Sequence, residues 1–410
     1  MSAMSTSDGI SIVIPSWNGR RLLERFLPSV IEATACFLQR EGTSAEVIVV
    51  DDGSEDDSVS WLASRSFVEI CRGLPDDQTK RERLNPTTKN RSREAQVDAD
   101  GQNEERIPDV VLRATPSQTA AIMPSAGKTA DLKVIRNPRN SGFGFSCNRG
   151  FDEAKHRLVM LVNNDVELDQ GCLDILAENF SDPFVFAAHC RVIDMTSGEE
   201  CGTGKLGSFA RGFIRVHRSY VPRPAVAQGQ KHTPPLYSMF ASGGSAMFDR
   251  EKFLELGGFD PVLAPFYWED VELSYRAWKR GYQIVYEPRA VARHQISSTI
   301  SQIEPSRVRR IQQRNRLLYH WVHLHDRRMF ASHLIWVAVL VVTVPLRLQP
   351  SFWLAFGAAL KVLPDVGRRR KEEKVKSKRS DREVFRIFER LQERSDLIAY
   401  DQRSELPKSD

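Results

Sequence analysis

Three places in the chain carry acids where chemistry could be done. Asp51 and Asp52 follow the apolar run Val47-Ile48-Val49-Val50, Asp165 follows Leu158 to Val162, and Glu269-Asp270 stand behind Phe266-Tyr267-Trp268. Behind three aromatics at the mouth of an expected helix, bare charge is oddly placed. Each place also has an ordinary explanation. Asp270 reads equally as the N-cap of the helix that follows, accepting amide hydrogen bonds and favoured by the helix dipole. Asp51-Asp52-Gly53-Ser54 reads as a turn.

The elements that must position these acids are legible in order. Ile10 to Ile14 is a strand-length apolar run broken by Pro15-Ser16-Trp17-Asn18-Gly19, and an amphipathic helix is expected from about Arg21 to Gln39. Glu46 to Val50 is a second strand, Asp57 to Ser64 a second helical segment, Leu132 to Arg136 and Leu158 to Val162 further strands. This alternation predicts a parallel α/β sheet, whose ligands bind beyond the carboxyl ends of its strands. Asp51, Asp52 and Asp165 fall at such ends. Val271, Tyr275 and Trp278 repeat at helical spacing after Asp270, with Glu272, Arg276, Lys279 and Arg280 expected to face water and Gly281 as a stop. Glycines at 142, 144 and 150 are expected to allow close backbone approach, but their spacing is not the dinucleotide fingerprint. The small-residue stretch Phe240 to Phe248 reads as a strand or turn whose glycines could floor a cavity, while the stretch from Ala187 to Tyr220 reads as poorly determined strands and loops.

Composition sets the frame. A chain of 410 residues, 41% hydrophobic, can bury a large core, and its net charge of +5 is concentrated near the C-terminus. Six cysteines without a C-x-x-C pair or framework spacing predict reduced thiols, and no secretory signal is visible. No Phe, Tyr or Trp occurs between Phe67 and Phe143, so residues 72–130 are expected to form a largely disordered insertion. Met329 to Leu346 is an 18-residue stretch without charge, about 27 Å as a helix and slightly short of a hydrocarbon core. Leu348 to Leu360 adds a second uncharged stretch, and prolines at 345 and 350 separate the two. A helical pair lying on or dipping into one leaflet is expected, against the alternative of a pair packed on the domain. Eight basic and two acidic residues between Arg368 and Arg379 would then sit on anionic headgroups. Aromatics are not interleaved with these charges, so nucleic acid is not the expected partner. His320, His323 and His325 do not share one helical face, which speaks against zinc.

Taken together, Pro15-Ser16-Trp17-Asn18-Gly19, Val49-Val50-Asp51-Asp52-Gly53-Ser54, Asn140-Ser141-Gly142-Phe143, Asn163-Asn164-Asp165, Gly257-Gly258-Phe259-Asp260 and Trp268-Glu269-Asp270 resemble a family 2 glycosyltransferase of the GT-A fold. The ordered set covers about residues 10 to 295 and most resembles the rhamnosyltransferase-like members. The resemblance implies an α/β domain over 1–310 with a mostly parallel central sheet, to which the apolar stretches and the basic run add a helical membrane-associating segment at 311–366 and a basic tail at 367–410. It implies an inverting hexosyltransferase that moves a sugar, rhamnose first among candidates, from a nucleotide-diphosphate donor to a glycan or lipid-linked acceptor. Asp165 stands where the family carries its metal-binding acid, with Asn163 in place of the first Asp, and His294 matches a late histidine that completes the metal site in some relatives. Mg²⁺ or Mn²⁺ held there would neutralise the leaving diphosphate.

By the same resemblance Asp51 and Asp52 would bind base or ribose, Asn140 and Gly142 would line the nucleoside pocket, and Pro15, Asn18, Ser54, Asn163 and Trp268 would complete the donor site. Asp270 is the expected base that takes the acceptor proton, and Glu269 the second choice. The aromatics Phe266, Tyr267 and Trp268 would wall an acceptor sugar. No Q-x-x-R-W motif occurs near Gln312 or Gln313, so a processive polymer synthase is not expected. The expected location is the cytoplasmic side of the inner membrane. The rival reading is a non-catalytic sugar-nucleotide-binding scaffold, which would have no need of Asp165 and Asp270.

Overall fold

The structure is a computed structural model that describes residues 9–40, 42–64, 69–72, 110–113, 130–223, 235–295, 303–343 and 350–401. Ile10–Ser16 (β1) and Ala45–Asp51 (β2) pair in parallel with Ile12 opposite Val47 and Ser16 opposite Asp51. Both strands are buried along their whole length, as strands covered on both faces must be. Side chains alternate between two cores. Ile12, Ile14, Val47 and Val49 enter one core, while Val13, Ile48 and Val50 enter the other.

Around this pair the sheet grows to eleven described strands. On one side lie Asp131–Arg136 (β5), then Val110–Arg113 (β4) and Glu69–Arg72 (β3). On the other side Leu158–Val162 (β6) is followed by Ser245–Asp249 (β12), Val185–Asp194 (β8), Gln283–His294 (β13) and Val166–Leu168 (β7), with Glu200–Gly202 (β9) on β8. Strands β5, β2, β1, β6, β8 and β13 all run one way, because β12 is antiparallel to both of its neighbours. Helices Arg20–Phe37 (α1), Ser58–Ser64 (α2) and Cys172–Ala177 (α4) cover one face. Phe143–Glu153 (α3), Arg250–Leu256 (α5) and Glu269–Lys279 (α6) cover the other. The carboxyl ends of β1, β2 and β6 therefore share one rim.

A second layer closes over α6. Gly204–Ala210 (β10), Phe213–Pro222 (β11) and Leu397–Asp401 (β14) form a separate antiparallel sheet. Pro305–His323 (α7), Arg327–Thr343 (α8), Pro350–Lys361 (α9) and Leu363–Lys376 (α10) share a third apolar cluster around Leu317, Leu318, Val337 and Ala359. Asp381–Gln392 (α11) starts with a capping box between Ser380 and Glu383 and buries Val384, Phe385, Phe388 and Leu391 against Trp278 and its neighbours. Burial of such a Phe side chain stabilises by about 1.5–3 kcal/mol, so this segment is part of the core.

Several expectations change here. Within the expected insertion, Val110–Arg113 forms a strand on β5, and the remainder of 73–129 lies outside the described residues. Glu272, Arg276, Lys279 and Arg280 do not face water, and all four are buried. All but Arg276, which pairs with Glu272 one turn away, have a charged partner far along the chain that helical periodicity cannot reveal. Glu272 meets Arg276 and His323, Lys279 meets Asp381 at 2.6 Å, and Arg280 meets Glu373 at 2.7 Å. Asp381 also accepts from Tyr275 and from the backbone amides of His325 and Asp326. The basic run is partly spent inside as well. Arg369 pairs with Asp260, Arg370 donates to the Trp321 carbonyl, and Arg379 donates to the carbonyls of Trp278 and Tyr282. No helix among the described residues is long and apolar enough to cross a membrane.

Candidate active site

A cleft of about 720 Å³ opens at the shared rim. Its walls bring together Pro15, Asp52, Asn140, Gly142, Asn163, Asp165, Glu269, Asp270 and His294 from the expected site, with Gly243 and Gly244 contributing as anticipated and Ser242 beside them. Asn18, Asp51, Ser54 and Trp268 are not on its walls, and each has another occupation.

Asn18 and Ser54 join two strand ends. The Asn18 amide donates to Ser54 Oγ at 2.8 Å, and its side-chain oxygen accepts from the Glu55 amide. Asp51 sits beneath them, accepting from the Ser54 amide at 3.1 Å and facing Arg136 at 3.6 Å, while its Oδ1 is buried without a hydrogen-bond partner. Burial raises its pKa above the ordinary carboxylate value despite those contacts. Asp52 is engaged differently. It accepts from Asn137 and from the backbone amides of Ser141 and Gly142, at 2.8 to 2.9 Å, so it locks the 137–142 loop and presents that loop to the cleft. Gly142 is needed there. Its φ is +96°, and a Cβ would stand 2.9 Å from the Pro265 carbonyl oxygen. The close approaches at 142, 144 and 150 are thus made to Pro265, Phe259 and Val13, which are protein neighbours.

The opposite end of this rim follows from sheet register. β7 and β13 are antiparallel with Val166 opposite His294, and the Gln295 amide donates to the Asp165 carbonyl at 3.0 Å. That pairing brings His294 Nε2 to 3.1 Å from Asp165 Oδ1. Asn163, held by its amide on the Gly244 carbonyl, keeps a buried side-chain oxygen without a hydrogen-bond partner. Among the described residues no three His, Cys, Asp or Glu side chains gather as a metal cage. The two groups present, with the Asn163 oxygen, fit a hard divalent cation that takes its remaining ligands from a diphosphate and water.

Facing this pair are Glu269 and Asp270 in the first turn of α6. The N-cap is Trp268, with a left-handed backbone, so Asp270 is not the cap expected from sequence and lies two residues further in. Both acids keep some surface on the cleft while protein encloses the rest. Burial pushes Asp270 up to about 6, against the Val271, Asp270 and Gly243 amides that hold it down. Burial and the Asp270 charge push Glu269 up to about 8. Near neutral pH the pair therefore shares one charge and one proton. Phe266 and Tyr267 line the cleft, but the Trp268 ring lies 5.4 Å from that of Tyr319 and packs on α7.

Two features were missed by sequence reasoning. Asn315, fully buried on α7, donates its amide to the carbonyls of Leu263, Phe266 and Tyr267, and neighbouring Arg314 donates to those of Val262 and Ala264. These contacts fix the loop in which Tyr267 and Trp268 both have positive φ. Arg307, exposed in the first turns of α7, is the one Arg or Lys among the described residues lining the cleft. Both residues sit in a polar helical run that carries no local signal of either role.

Comparison with known proteins adds a family to this geometry. The pattern described as Glycosyltransferase like family 2 matches residues 109–318, just over half of the chain, and that described as Glycosyl transferase family 2 matches residues 11–72. The chain belongs to glycosyltransferase family 2. Among its relatives in that comparison, the putative polypeptide N-acetylgalactosaminyltransferase 13 of Drosophila melanogaster is 29% identical over 165 residues, covering 38% of this chain and 28% of the fly protein. The pre-mycofactocin glycosyltransferase of Mycobacterium tuberculosis is 26% identical over 171 residues, covering 41% and 33%. The chain thus spans about a third or less of the curated relatives it matches. A solved structure of GalNAc-T7 with UDP, GalNAc and Mn²⁺ superposes with a TM-score of 0.48 at 18% identity, over 81% of this chain and 51% of that one.

Proposed function

We propose that this family 2 member is an inverting glycosyltransferase that uses a nucleotide-diphosphate sugar and a divalent cation to glycosylate a hydroxyl of a glycan or lipid-linked acceptor. The observation that carries the reading is the convergence of Asp165 with His294 and of Glu269 with Asp270 on one cleft. In the reaction the acceptor oxygen attacks the anomeric carbon as its bond to the diphosphate oxygen breaks. The electron pair leaves with the diphosphate, and the acceptor proton passes to Asp270. Burial raises the basicity of Asp270 while leaving it ionised at neutral pH.

Asn163, Asp165 and His294 would hold the cation, which supplies charge neutralisation at the diphosphate when bound. Arg307 adds a positive charge to the cleft lining. Asp51, buried behind the cleft wall, would act by holding the Ser54 turn, and Asp52 acts through the loop it holds. Phe266 and Tyr267 would wall the acceptor. The ordered motifs make a rhamnose donor the first to try. The experiment is a panel of nucleotide sugars with Mn²⁺ or Mg²⁺, comparing the parent with Asp270→Asn. Turnover should fall by about 10²- to 10⁴-fold with donor binding kept. Equal turnover by both proteins would remove Asp270 from the mechanism.

A further inference from the structure

We propose that α8 and α9 form a docking surface for an anionic lipid bilayer, lying in its interface without crossing it. Both helices contribute one face to the cluster built on α7, through Val337 and Ala359. His333 tightens the docking of α8, with its ring stacked 4.9 Å from His320 and donating to the Gly212 carbonyl at 2.8 Å. Their other faces are apolar and open. On α8 the exposed residues Ile335, Val339 and Val342 fall three or four apart and make one stripe, widened by exposed Leu334, with Ile335 64% and Val342 71% exposed. On α9 the stripe is Trp353, Leu354 and Leu360, with Leu354 58% exposed.

Two successive helices with open apolar stripes are more than the scattered single hydrophobic residues of an ordinary surface. Charge selects the occupant. Exposed Arg327 and Arg328 open α8, and exposed Lys361 closes α9. On α10, Arg368, Lys371, Lys374 and Lys376 are exposed alongside Asp365 and Glu372. Apolar stripes bracketed by cations match acyl chains beneath anionic headgroups, whereas a second copy of this chain would set like charge against like charge. Neither helix is long and apolar enough to span a bilayer, so the interface is the depth they fit. The basic residues that contact headgroups are the exposed ones, since Arg369, Arg370 and Arg379 are engaged inside the protein.

The test is flotation of the full chain with vesicles of phosphatidylcholine, with and without phosphatidylglycerol. The parent should float with the mixed vesicles and more weakly with phosphatidylcholine alone. The triple variant Ile335→Gln, Val342→Gln, Leu354→Gln should bind the mixed vesicles at least about a hundredfold more weakly, with its melting temperature unchanged. A second variant, Arg327→Glu, Arg328→Glu, Lys361→Glu, keeps the stripes and should lose about tenfold or more, confined to the increment from phosphatidylglycerol. Unchanged flotation of the glutamine variant would overturn the proposal. So would a concentration-dependent dimer of the parent that the same variant abolishes while vesicles capture neither protein. Donor binding measured without lipid is independent of these outcomes, so failure of the enzymatic reading would be seen separately.

Discussion

Replacing Asn315 tests whether the acceptor side of the cleft is held from behind. One amide nitrogen, with two hydrogens, serves the carbonyls of Leu263, Phe266 and Tyr267. Asn315→Ala removes those donors and strands buried carbonyls, each at a cost of about 1–3 kcal/mol, so a loss of about 2–4 kcal/mol is expected. A domain stable by about 5–15 kcal/mol survives that loss. The left-handed backbones of Tyr267 and Trp268 store about 1–2 kcal/mol each, and the clamp that opposes their relaxation is gone in the variant. Relaxation would shift Phe266, Tyr267 and the start of α6, and a displacement of about 1 Å at reacting groups costs about a hundredfold in rate. Donor contacts at the ends of β1, β2 and β6 come from other elements than the loop Asn315 holds. The expected result in steady-state assays is therefore a kcat about a hundredfold lower, with the donor Kd from equilibrium dialysis unchanged and a lower melting temperature. A lower melting temperature with full kcat would refute the reasoning and leave Asn315 a purely structural residue.

Turnover at saturating metal should rise as the pH passes through about 6, where the Asp270 proton is lost, and Asp270→Asn should flatten that limb; a parent profile without it would contradict the base assignment. Asp381→Ala leaves Lys279 buried without its carboxylate and should cost about 3–5 kcal/mol in denaturant unfolding, with a loss under 1 kcal/mol counting against the hub. Burial alone would raise the Asp381 carboxyl, but Lys279 and Tyr275 outweigh it and hold it below the ordinary value. Its contribution is accordingly present at neutral pH and lost as the pH falls below about 4. Mn²⁺ affinity, read by titration calorimetry with UDP present, should weaken by at least about tenfold in Asp165→Ala and in His294→Ala, and unchanged affinity in both would place the cation elsewhere.

The half of the site nearest the N-terminus was legible because it follows local rules. Alternating apolar runs set β1, β2 and β6, and acids placed just after such runs arrive at one rim by topology. What each acid does there was not legible. Asp51 and Asp52 are adjacent and chemically alike, yet one keeps an unpartnered oxygen and the other is consumed by a loop from residues 137–142. Trp268 belonged to the motif but turned away from the cleft, since the left-handed turn at 267–268 directs its ring onto Tyr319. The larger misreading was α6, whose charged residues have the spacing of a solvated face. Their partners Asp381, Glu373 and His323 lie some 50 to 100 residues further along the chain, beyond the reach of any periodicity argument.

That misreading bears on how the active site is made. The first turn of α6 offers Glu269 and Asp270 to the cleft, and the rest of the helix is fixed by segments that come last in the chain. His323 on α7 meets Glu272, Arg276 donates to the Gly258 carbonyl, and the amides of Lys378 and Arg379 donate to the Lys279 carbonyl at the helix end. Four buried charges on a single isolated helix would be costly, so α6 reaches its native setting together with α7, α10 and α11. The acid pair that we place in the chemistry therefore owes its position to residues 305–401 as much as to its own motif. Removing residues 329–410 to test lipid binding would take away Asp381, Glu373 and β14 and so disturb the site itself. Substitutions on the open faces of α8 and α9 separate the two questions, because those side chains point away from the core that carries α6.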